Sequence, residues 1–396
     1  MKRKNLIFFA IMSFILLNVN AQQVKKIILL DAEDAVVGAS RTEFYLPLLK
    51  YKKVGIIGNQ TSIFNGVHLV DTLLSLDVNV VKIFSPEHGF RGTADEGAHV
   101  ASGVDEKTGL PVVSLYGKNR KPSKEQLQGI DILLFDLQDV GVRFYTYIST
   151  MTYVMEAAAE NDIPVVVLDR PNPNGFYVDG PVLEPENSSF VGLHQVPVVY
   201  GLTIGEYAKM VNGERWLNGG VQCDLTVIPM GNYVRNAIYK LPVKPSPNLP
   251  NWQSVYLYPS LCFFEGTNIS VGRGTETPFQ VFGHPDMNGD FTFTPKTTSG
   301  HNAPLYSDKE CHGKCLLEYA NNFQNNEQRI QLQWLIDAHN QLKNDTKFFN
   351  NYFEKLVGVN SLREMINNGV SEKEIRESWR EEIDKYLKIR EKYLAY

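Results

Sequence analysis

Between residues 50 and 170 the apolar positions fall in short, nearly unbroken runs. They are Val54-Gly55-Ile56-Ile57, Val80-Val81-Lys82-Ile83-Phe84, Pro111-Val112-Val113-Ser114-Leu115, Ile130 to Phe135, and Val165-Val166-Val167-Leu168. A strand with one wet face alternates apolar and polar residues. These runs do not alternate, so they predict strands of a parallel sheet buried on both faces. Helix-like stretches lie between them, at Val67 to Leu76, Ser123 to Gln128 and Ser149 to Asn161. Asp162-Ile163-Pro164 closes the last one, because proline disfavours the helical conformation in the residue before it. Strand and helix in alternation predict a doubly wound α/β sheet.

After Pro171 the texture changes. Pro and Gly become denser from Asn172-Pro173-Asn174-Gly175 to Val182, and a domain boundary is expected near residue 190. The second part, 191–396, reads as mixed α/β. Thr203 with Glu206 three residues on is a capping box that opens a helix to about Asn212. Val221 to Pro229 and the alternating Asp290-Phe291-Thr292-Phe293-Thr294 read as strands. Gln328 to Leu342 and Ser371 to Tyr393 read as helices, the latter opened by a Ser371–Glu374 capping box. Its Glu/Lys/Arg-rich face predicts a solvated side.

The amino terminus has a pattern of its own. Lys2, Arg3 and Lys4 precede an apolar run from Leu6 to Leu17, and Val19-Asn20-Ala21 supplies a small residue for cleavage. This is the three-part pattern of a secretory signal peptide over 1–21, leaving 22–190 as the first domain. A run of about twelve apolar residues is short for a bilayer span, so a stable membrane anchor is not expected. Cleavage would leave 36 basic and 44 acidic side chains, a formal charge of −8. Such a chain lacks the basic footprint that nucleic acid requires. Export permits disulfides, and Cys223, Cys262, Cys311 and Cys315 allow three full pairings. A local disulfide or free, half-buried thiols are expected. Cys311-His312-Gly313-Lys314-Cys315 fits no zinc spacing.

Ligands of open α/β sheets bind beyond the carboxyl ends of the strands. The five predicted strands run into Asn59-Gln60-Thr61, Ser85-Pro86-Glu87-His88-Gly89, Tyr116-Gly117, Asp136-Leu137-Gln138-Asp139-Val140-Gly141-Val142-Arg143 and Asp169-Arg170-Pro171-Asn172. Each delivers polar side chains to one edge, which predicts a polar pocket. No G-x-G-x-x-G or Walker sequence follows the first strand, so no nucleotide cofactor is expected. Carboxylates, amides and aromatics together suit a sugar: polar groups for hydroxyls, and rings such as Tyr145 and Tyr147 for apolar sugar faces. Paired carboxylates supply the acid and base of glycoside cleavage. Arginines such as Arg91, Arg143 and Arg170 suit an anion on the ligand. A third cluster, Glu265 to Pro278, projects Asn268, Arg273 and Glu276 from a glycine-rich loop whose small residues would let the backbone approach a ligand. Each feature also has a plain structural reading. Asp136 could cap a turn, Tyr145 and Tyr147 could be core, and Pro245-Ser246-Pro247-Asn248-Leu249-Pro250 could only shape a loop. Glu87, His88 and His99 could form a metal pair or triad, but no helical ligand spacing supports it, and no metal is expected.

At these residues the chain resembles a known family. Ser85-Pro86-Glu87-His88-Gly89-Phe90-Arg91-Gly92, Phe135 to Tyr147, Leu168-Asp169-Arg170-Pro171-Asn172-Pro173, Tyr258-Pro259-Ser260-Leu261, Glu265-Gly266-Thr267-Asn268 with Val271-Gly272-Arg273-Gly274-Thr275, and the closing Arg390-Glu391-Lys392-Tyr393-Leu394 resemble the NamZ-like exo-β-N-acetylmuramidases. The resemblance covers nearly the whole mature chain. It implies a Rossmann-like first domain, a smaller second α/β domain and an active site in the cleft between them. It implies release of N-acetylmuramic acid from the non-reducing end of peptidoglycan fragments, in cell-wall turnover outside the cytoplasm, without metal or nucleotide.

Within the resemblance Glu87 is the expected catalytic acid, with a raised pKa. Asp139 is the first candidate for the second carboxylate, with Asp136, Asp169 and Glu276 open. Arg143, Arg170 and Arg273 are candidates for the lactyl carboxylate, and Tyr145 or Tyr147 for stacking on the ring. Asn59, His88, Arg91, Gln138, Asn172 and Asn268 complete the expected substrate-binding set. Retaining, inverting and substrate-assisted routes all remain open. So do two other readings: a non-catalytic binding protein for wall sugars, and a metal-dependent hydrolase built on Glu87, His88 and His99.

Overall fold

The computed structural model describes residues 26–31, 34–87, 89–91, 102–297, 303–343 and 347–396. The proposed signal peptide, His88 and His99 lie outside the described residues. The strands are β1 (Ile28–Asp31), β2 (Val54–Gly58), β3 (Ile63–Phe64), β4 (Val67–His68), β5 (Val80–Ser85), β6 (Gly103–Val104), β7 (Pro111–Ser114), β8 (Ile132–Asp136), β9 (Val165–Leu168), β10 (Leu225–Ile228), β11 (Ala237–Lys240), β12 (Val281–His284), β13 (Phe291–Phe293) and β14 (Cys311–Cys315). The helices that matter below are α1 (Thr42–Leu49), α2 (Leu69–Ser75), α3 (Lys124–Leu127), α4 (Tyr147–Ala159), α5 (Ile204–Gly213), α6 (Trp252–Leu261), α7 (Leu317–Asn321), α8 (Leu332–Gln341), α9 (Phe353–Val357), α10 (Ser361–Asn367), α11 (Glu372–Ser378) and α12 (Arg380–Glu391).

The central sheet has the order β10-β9-β8-β2-β5-β7-β6, and only β6 runs antiparallel to its neighbour. From β2 the chain moves outward through β5 and β7, then returns to the other side of β2 and moves outward through β8, β9 and β10. This is the doubly wound arrangement, and its switch point lies between β2 and β8. The unbroken apolar runs have the expected cause. Ile57, Phe84, Leu133, Phe135, Val165 and Val167 pack on one face with α4 and α5. Val54, Ile56, Ile83, Ile132, Leu134, Val166 and Leu168 pack on the other with Tyr45 and Leu49 of α1 and Leu69, Val70 and Leu73 of α2. Each fully buried branched side chain contributes about 1.5–3 kcal/mol.

Residue 190 falls in irregular backbone, and the central sheet takes one more strand from beyond it. β10 pairs in parallel with β9 from Leu225 to Ile228, and α5 forms the crossover. A parallel edge strand needs such a crossover. The run from Val221 to Pro229 therefore serves the first sheet. The remainder builds a smaller unit from the three-stranded sheet β12-β14-β13, α6 and the helices from α7 to α12. One continuous core runs through both units, from Ile57 in β2 to Tyr386 in α12.

Two expected helices differ in detail. Val67 and His68 form a hairpin with Ile63 and Phe64 around Asn65 (φ 49°) and Gly66 (φ 74°), so α2 begins only at Leu69. Asn-Gly is the dipeptide such a tight turn selects. Ser371 to Tyr393 is two helices, α11 and α12, because Trp379 (φ −103°, ψ 0°) leaves the helical path and buries its indole. The capping boxes at Thr203 and Ser371 both form. All four cysteines are free thiols. Cys311 and Cys315 sit four apart on β14, which separates them by about 13 Å and puts a disulfide out of reach.

Candidate active site

The sheet tips and the smaller unit enclose a cleft of about 70 Å³. Glu87 enters it from the loop after β5. Phe144, Tyr145, Thr146 and Tyr147 enter from the loop leading into α4. Ser246, Asn248 and Leu249 enter from the proline-rich segment, and Tyr258, Arg273 and Phe279 from the smaller unit.

The aromatic wall is locked by edge-to-face contacts. Tyr145 and Tyr147 meet at 4.8 Å, Phe144 and Tyr258 at 5.3 Å, and Tyr258 and Phe279 at 4.9 Å between ring centroids. Such pairs contribute about 0.5–1.5 kcal/mol each beyond their area. The hydroxyls are tied as well. Tyr145 donates to the Pro245 carbonyl at 2.7 Å, and Asn59 Nδ2 donates to the Tyr147 oxygen at 2.6 Å. Asn59 therefore acts one step behind the cleft, holding a ring that lines it. Burial pushes the Tyr147 hydroxyl up, and the nearby Glu87 charge pushes the same way.

Arg273 also lines the cleft, from the smaller unit. Its Nε donates to Glu265 Oε1 at 2.6 Å, and its guanidinium lies 5.0 Å from the centre of the Phe279 ring. Glu265 belongs to a 3-10 turn, Cys262–Gly266. Gly266 is required there, because a Cβ would strike the Phe353 backbone at 2.5 Å. Tyr352 stands beside this turn. Burial pushes its hydroxyl up to about 12, and the charges of Cys262, Glu265 and Glu87 add to the shift while Arg120 opposes it. Arg120 is exposed and lies 4.3 Å over the Phe190 ring.

Of the expected site residues, the cleft brings together Glu87, Tyr145, Tyr147 and Arg273, with Asn59 directly behind. Others are committed elsewhere. Asp136 and Arg170 form a buried two-point ion pair at 2.6 and 2.8 Å. Arg143 is fully buried and donates to the carbonyls of Pro181, Val196, Leu356 and Val357, which ties the first unit to the end of α9. Burial without a carboxylate partner lowers its pKa to about 9. Neither arginine has a guanidinium facing a ligand. Asp169 accepts from Thr203 Oγ1, the Gly205 amide and the Tyr396 hydroxyl, and so caps α5 and anchors the carboxyl terminus. Asn172 donates to the Leu202 carbonyl and Gln138 to the carbonyls of Asp139 and Pro171. Arg91 binds Asp105 and Asp71.

Asp139 is also absent from the cleft lining. It is buried, accepts from the Gly141 amide and the Tyr200 hydroxyl, and burial raises its pKa to about 6. Its Oδ1 has no hydrogen-bond partner among the described residues. Asn268 is half-buried, with its carbonyl accepting from Tyr306 at 2.8 Å, and Glu276 points to solvent. The glycine-rich loop closes on the protein itself: Gly274 (φ 78°) leaves no room for a Cβ against the Lys296 carbonyl. Among the described residues no three His, Cys, Asp or Glu side chains converge as metal ligands.

The cleft residues missed from the sequence are Tyr258, Phe279 and the Ser246–Leu249 segment. Tyr258 opens one of the motifs of the family resemblance, which was the available signal; Glu265 is the partner of Arg273 and is not part of the lining.

Comparison with known proteins completes the picture. The family model for the amino-terminal part of exo-β-N-acetylmuramidase NamZ matches residues 54–253, and that for its carboxyl-terminal part matches 256–396. The chain is 41% identical over 379 residues to the peptidoglycan β-N-acetylmuramidase NamZ of Bacillus subtilis (strain 168), covering 89% of each. Two crystal structures of DUF1343 family proteins from Bacteroides fragilis NCTC 9343 share the fold. One has TM-score 0.83 and 46% identity, over 91% of this chain and 99% of the other. The second has TM-score 0.75 and 29% identity, over 92% and 99%.

Proposed function

The chain belongs to the NamZ exo-β-N-acetylmuramidase family, and on that premise we propose that it hydrolyses the β-glycosidic bond of a terminal N-acetylmuramic acid at the non-reducing end of peptidoglycan fragments. The observation that carries this reading to the site is the cleft between the two units, which the Glu87 carboxyl and Arg273 line together with Phe144, Tyr145, Tyr147, Tyr258 and Phe279. Glycoside cleavage needs a proton on the leaving oxygen while positive charge grows on the ring. Glu87 supplies the proton in this reading. The tyrosine and phenylalanine rings pack against the apolar faces of the sugar. Arg273 is the anion-binding group for the lactyl carboxylate, since it is the one expected lactyl arginine that lines the cleft.

The amino-terminal pattern over 1–21 supports export and action in cell-wall turnover outside the cytoplasm. The same pattern supports a mature chain that starts at Gln22. The deciding experiment incubates the purified protein with a muramic acid–glucosamine disaccharide and longer wall fragments, followed by mass analysis. Release of free N-acetylmuramic acid, one residue at a time, is the expected outcome. Binding of the disaccharide for hours without cleavage would replace the enzyme reading with that of a capture protein. Mass measurement of protein from the culture or periplasm tests the cut after Ala21.

A further inference from the structure

An exo-acting glycosidase holds the terminal sugar of its substrate, so the rest of the chain leaves on one side only. The surface beside Glu87 carries features suited to that chain. The loops after β5 and β7 start together, because the Leu115 amide donates to the Ser85 carbonyl at 2.8 Å. Glu87 follows two residues after Ser85, and Arg120 five after Leu115. Asn119 Nδ2 ties the second loop back to the Ser114 carbonyl at 2.6 Å. The Arg120 guanidinium lies 4.3 Å over the Phe190 ring, and Phe190 stacks on Tyr153 of α4 at 6.0 Å and 12°. Stacking fixes the plane of the guanidinium and leaves the N–H groups on its edge for a planar anion. Arg120 is exposed and has no ion pair among the described residues, whereas its neighbour Lys121 is bound to Glu156 and Glu160.

The smaller unit reaches the same surface with Tyr352, which is 45% exposed. Its amide donates to Asn350 Oδ1 at 2.8 Å, and Asn350 Nδ2 donates to the Glu265 carbonyl at 3.0 Å. Glu265 in turn holds Arg273 of the cleft. Tyr352 lies within electrostatic reach of Glu87 and of Arg120.

We propose that Arg120 and Tyr352 form a subsite for the leaving chain: Tyr352 packs against the sugar that departs, and Arg120 takes a carboxylate of the muramic unit beyond it. The inference rests on the glycosidase reading and adds to it a preference among substrates. Wall glycan alternates glucosamine with muramic acid, so the next carboxylate after the terminal one lies on the second sugar of the leaving chain. It belongs either to the lactyl group of that unit or to a peptide amide-linked there. Both present the same planar anion to a guanidinium. The contact is made before and during bond breaking alike, so it lowers KM and leaves kcat alone.

The test compares the disaccharide with three tetrasaccharides that differ only at the inner muramic unit: a free lactyl carboxylate, a lactyl methyl amide, and a stem peptide with free carboxylates. The parent, Arg120→Gln, Arg120→Lys, Lys118→Gln and Tyr352→Ala are measured as full chains, each checked for an unchanged unfolding midpoint. The parent should show a KM for an anionic tetrasaccharide about fivefold below that for the amide, the scale of one exposed charge pair. A gain with the lactyl acid names that group as the ligand, and a gain only with the stem peptide names the peptide. Arg120→Gln should bring the ratio to about one, and Arg120→Lys should keep part of it, having the charge without the fork. Lys118 is exposed on the same loop, and Lys118→Gln should keep the full ratio. Tyr352→Ala should raise KM for every substrate, and an unchanged KM would remove the ring from the subsite. A parent ratio below about twofold for both anions would overturn the proposal. So would a ratio that survives Arg120→Gln, or one that falls equally in Lys118→Gln, since the preference would then be a diffuse effect of charge. Titration calorimetry of the same tetrasaccharides in a Glu87→Gln background, with and without Arg120→Gln, reads the ratio without turnover. If the parent cleaves no substrate, the glycosidase reading fails, and the calorimetric ratio decides the subsite by itself.

Discussion

Asp136 and Glu87 both leave the carboxyl end of a strand in the same sheet, at β8 and just past β5, yet they meet opposite surroundings. Asp136 has no exposure and two short bonds from Arg170. Glu87 is half-buried and faces the cleft. Both strands are flanked on each side, so strand order does not separate them. Asp136 is the last residue of β8 itself, where Arg170 from the segment after β9 reaches it, and a buried charge there needs such a partner. Glu87 stands two residues beyond the end of β5, past Pro86. The inner group of Asp136, Arg170, Arg143 and Asp169 joins segments of the fold. Glu87 and Arg273, by contrast, line the cleft.

Substitutions that trade stability against activity can break this division. The largest effect is expected for Arg170→Met, which leaves Asp136 charged, buried and alone. Roughly 3–5 kcal/mol of stability should go, read by denaturant unfolding. Adding Asp136→Leu should recover most of it, because a buried pair replaced by apolar groups is often close to neutral. A single variant as stable as the parent would show that this pair is solvated. Glu87→Gln should do the reverse: about a 10³-fold loss in turnover of the disaccharide, as expected for removal of a general acid, with stability unchanged within about 0.5 kcal/mol.

Asp139 gives a subtler separation. Burial raises its pKa from 3.8 to about 6, so the native state favours the protonated form. That contribution is complete below pH 3.8 and is lost as pH rises through about 6. Between those limits the parent should lose stability on the order of 1–3 kcal/mol from this group, and Asp139→Asn should flatten that part of the profile. Unfolding curves from pH 4 to 7 read it directly, and an unaltered slope in the variant would mean Asp139 is ionised throughout. Asp169 shifts in the same direction for the same reason. The smallest effect is expected at the exposed Glu276. Its replacement by Ala should move stability by less than about 0.5 kcal/mol and turnover by less than about twofold, which also tests its exclusion from the site.

Much of the fold was legible in the sequence. The five apolar runs became β2, β5, β7, β8 and β9 almost residue for residue, because a strand buried on both faces has no polar positions to blur its ends. The capping boxes at Thr203 and Ser371 were legible because the two bonds of such a box lie within three residues. The hairpin at Asn65-Gly66 carried its own signal, and the break at Trp379 did not, since it answers to core packing. Glu87 was legible as a strand-tip carboxylate in a long motif. Arg143 looked the same in sequence and turned out to bind four carbonyls, two of them on α9 more than two hundred residues away.

By itself the sequence determined the sheet, the edge at which polar side chains gather and the family to which they belong, because those are set by periodicity and by motifs contiguous along the chain. Tertiary structure alone decided which of those charges are sealed against one another and which look onto a cleft. A charge is buried or presented according to what packs over it. For Asp136 that is an arginine thirty-four residues on, and for Glu87 it is a cleft that Tyr258, Arg273 and Phe279 of the other unit help to line.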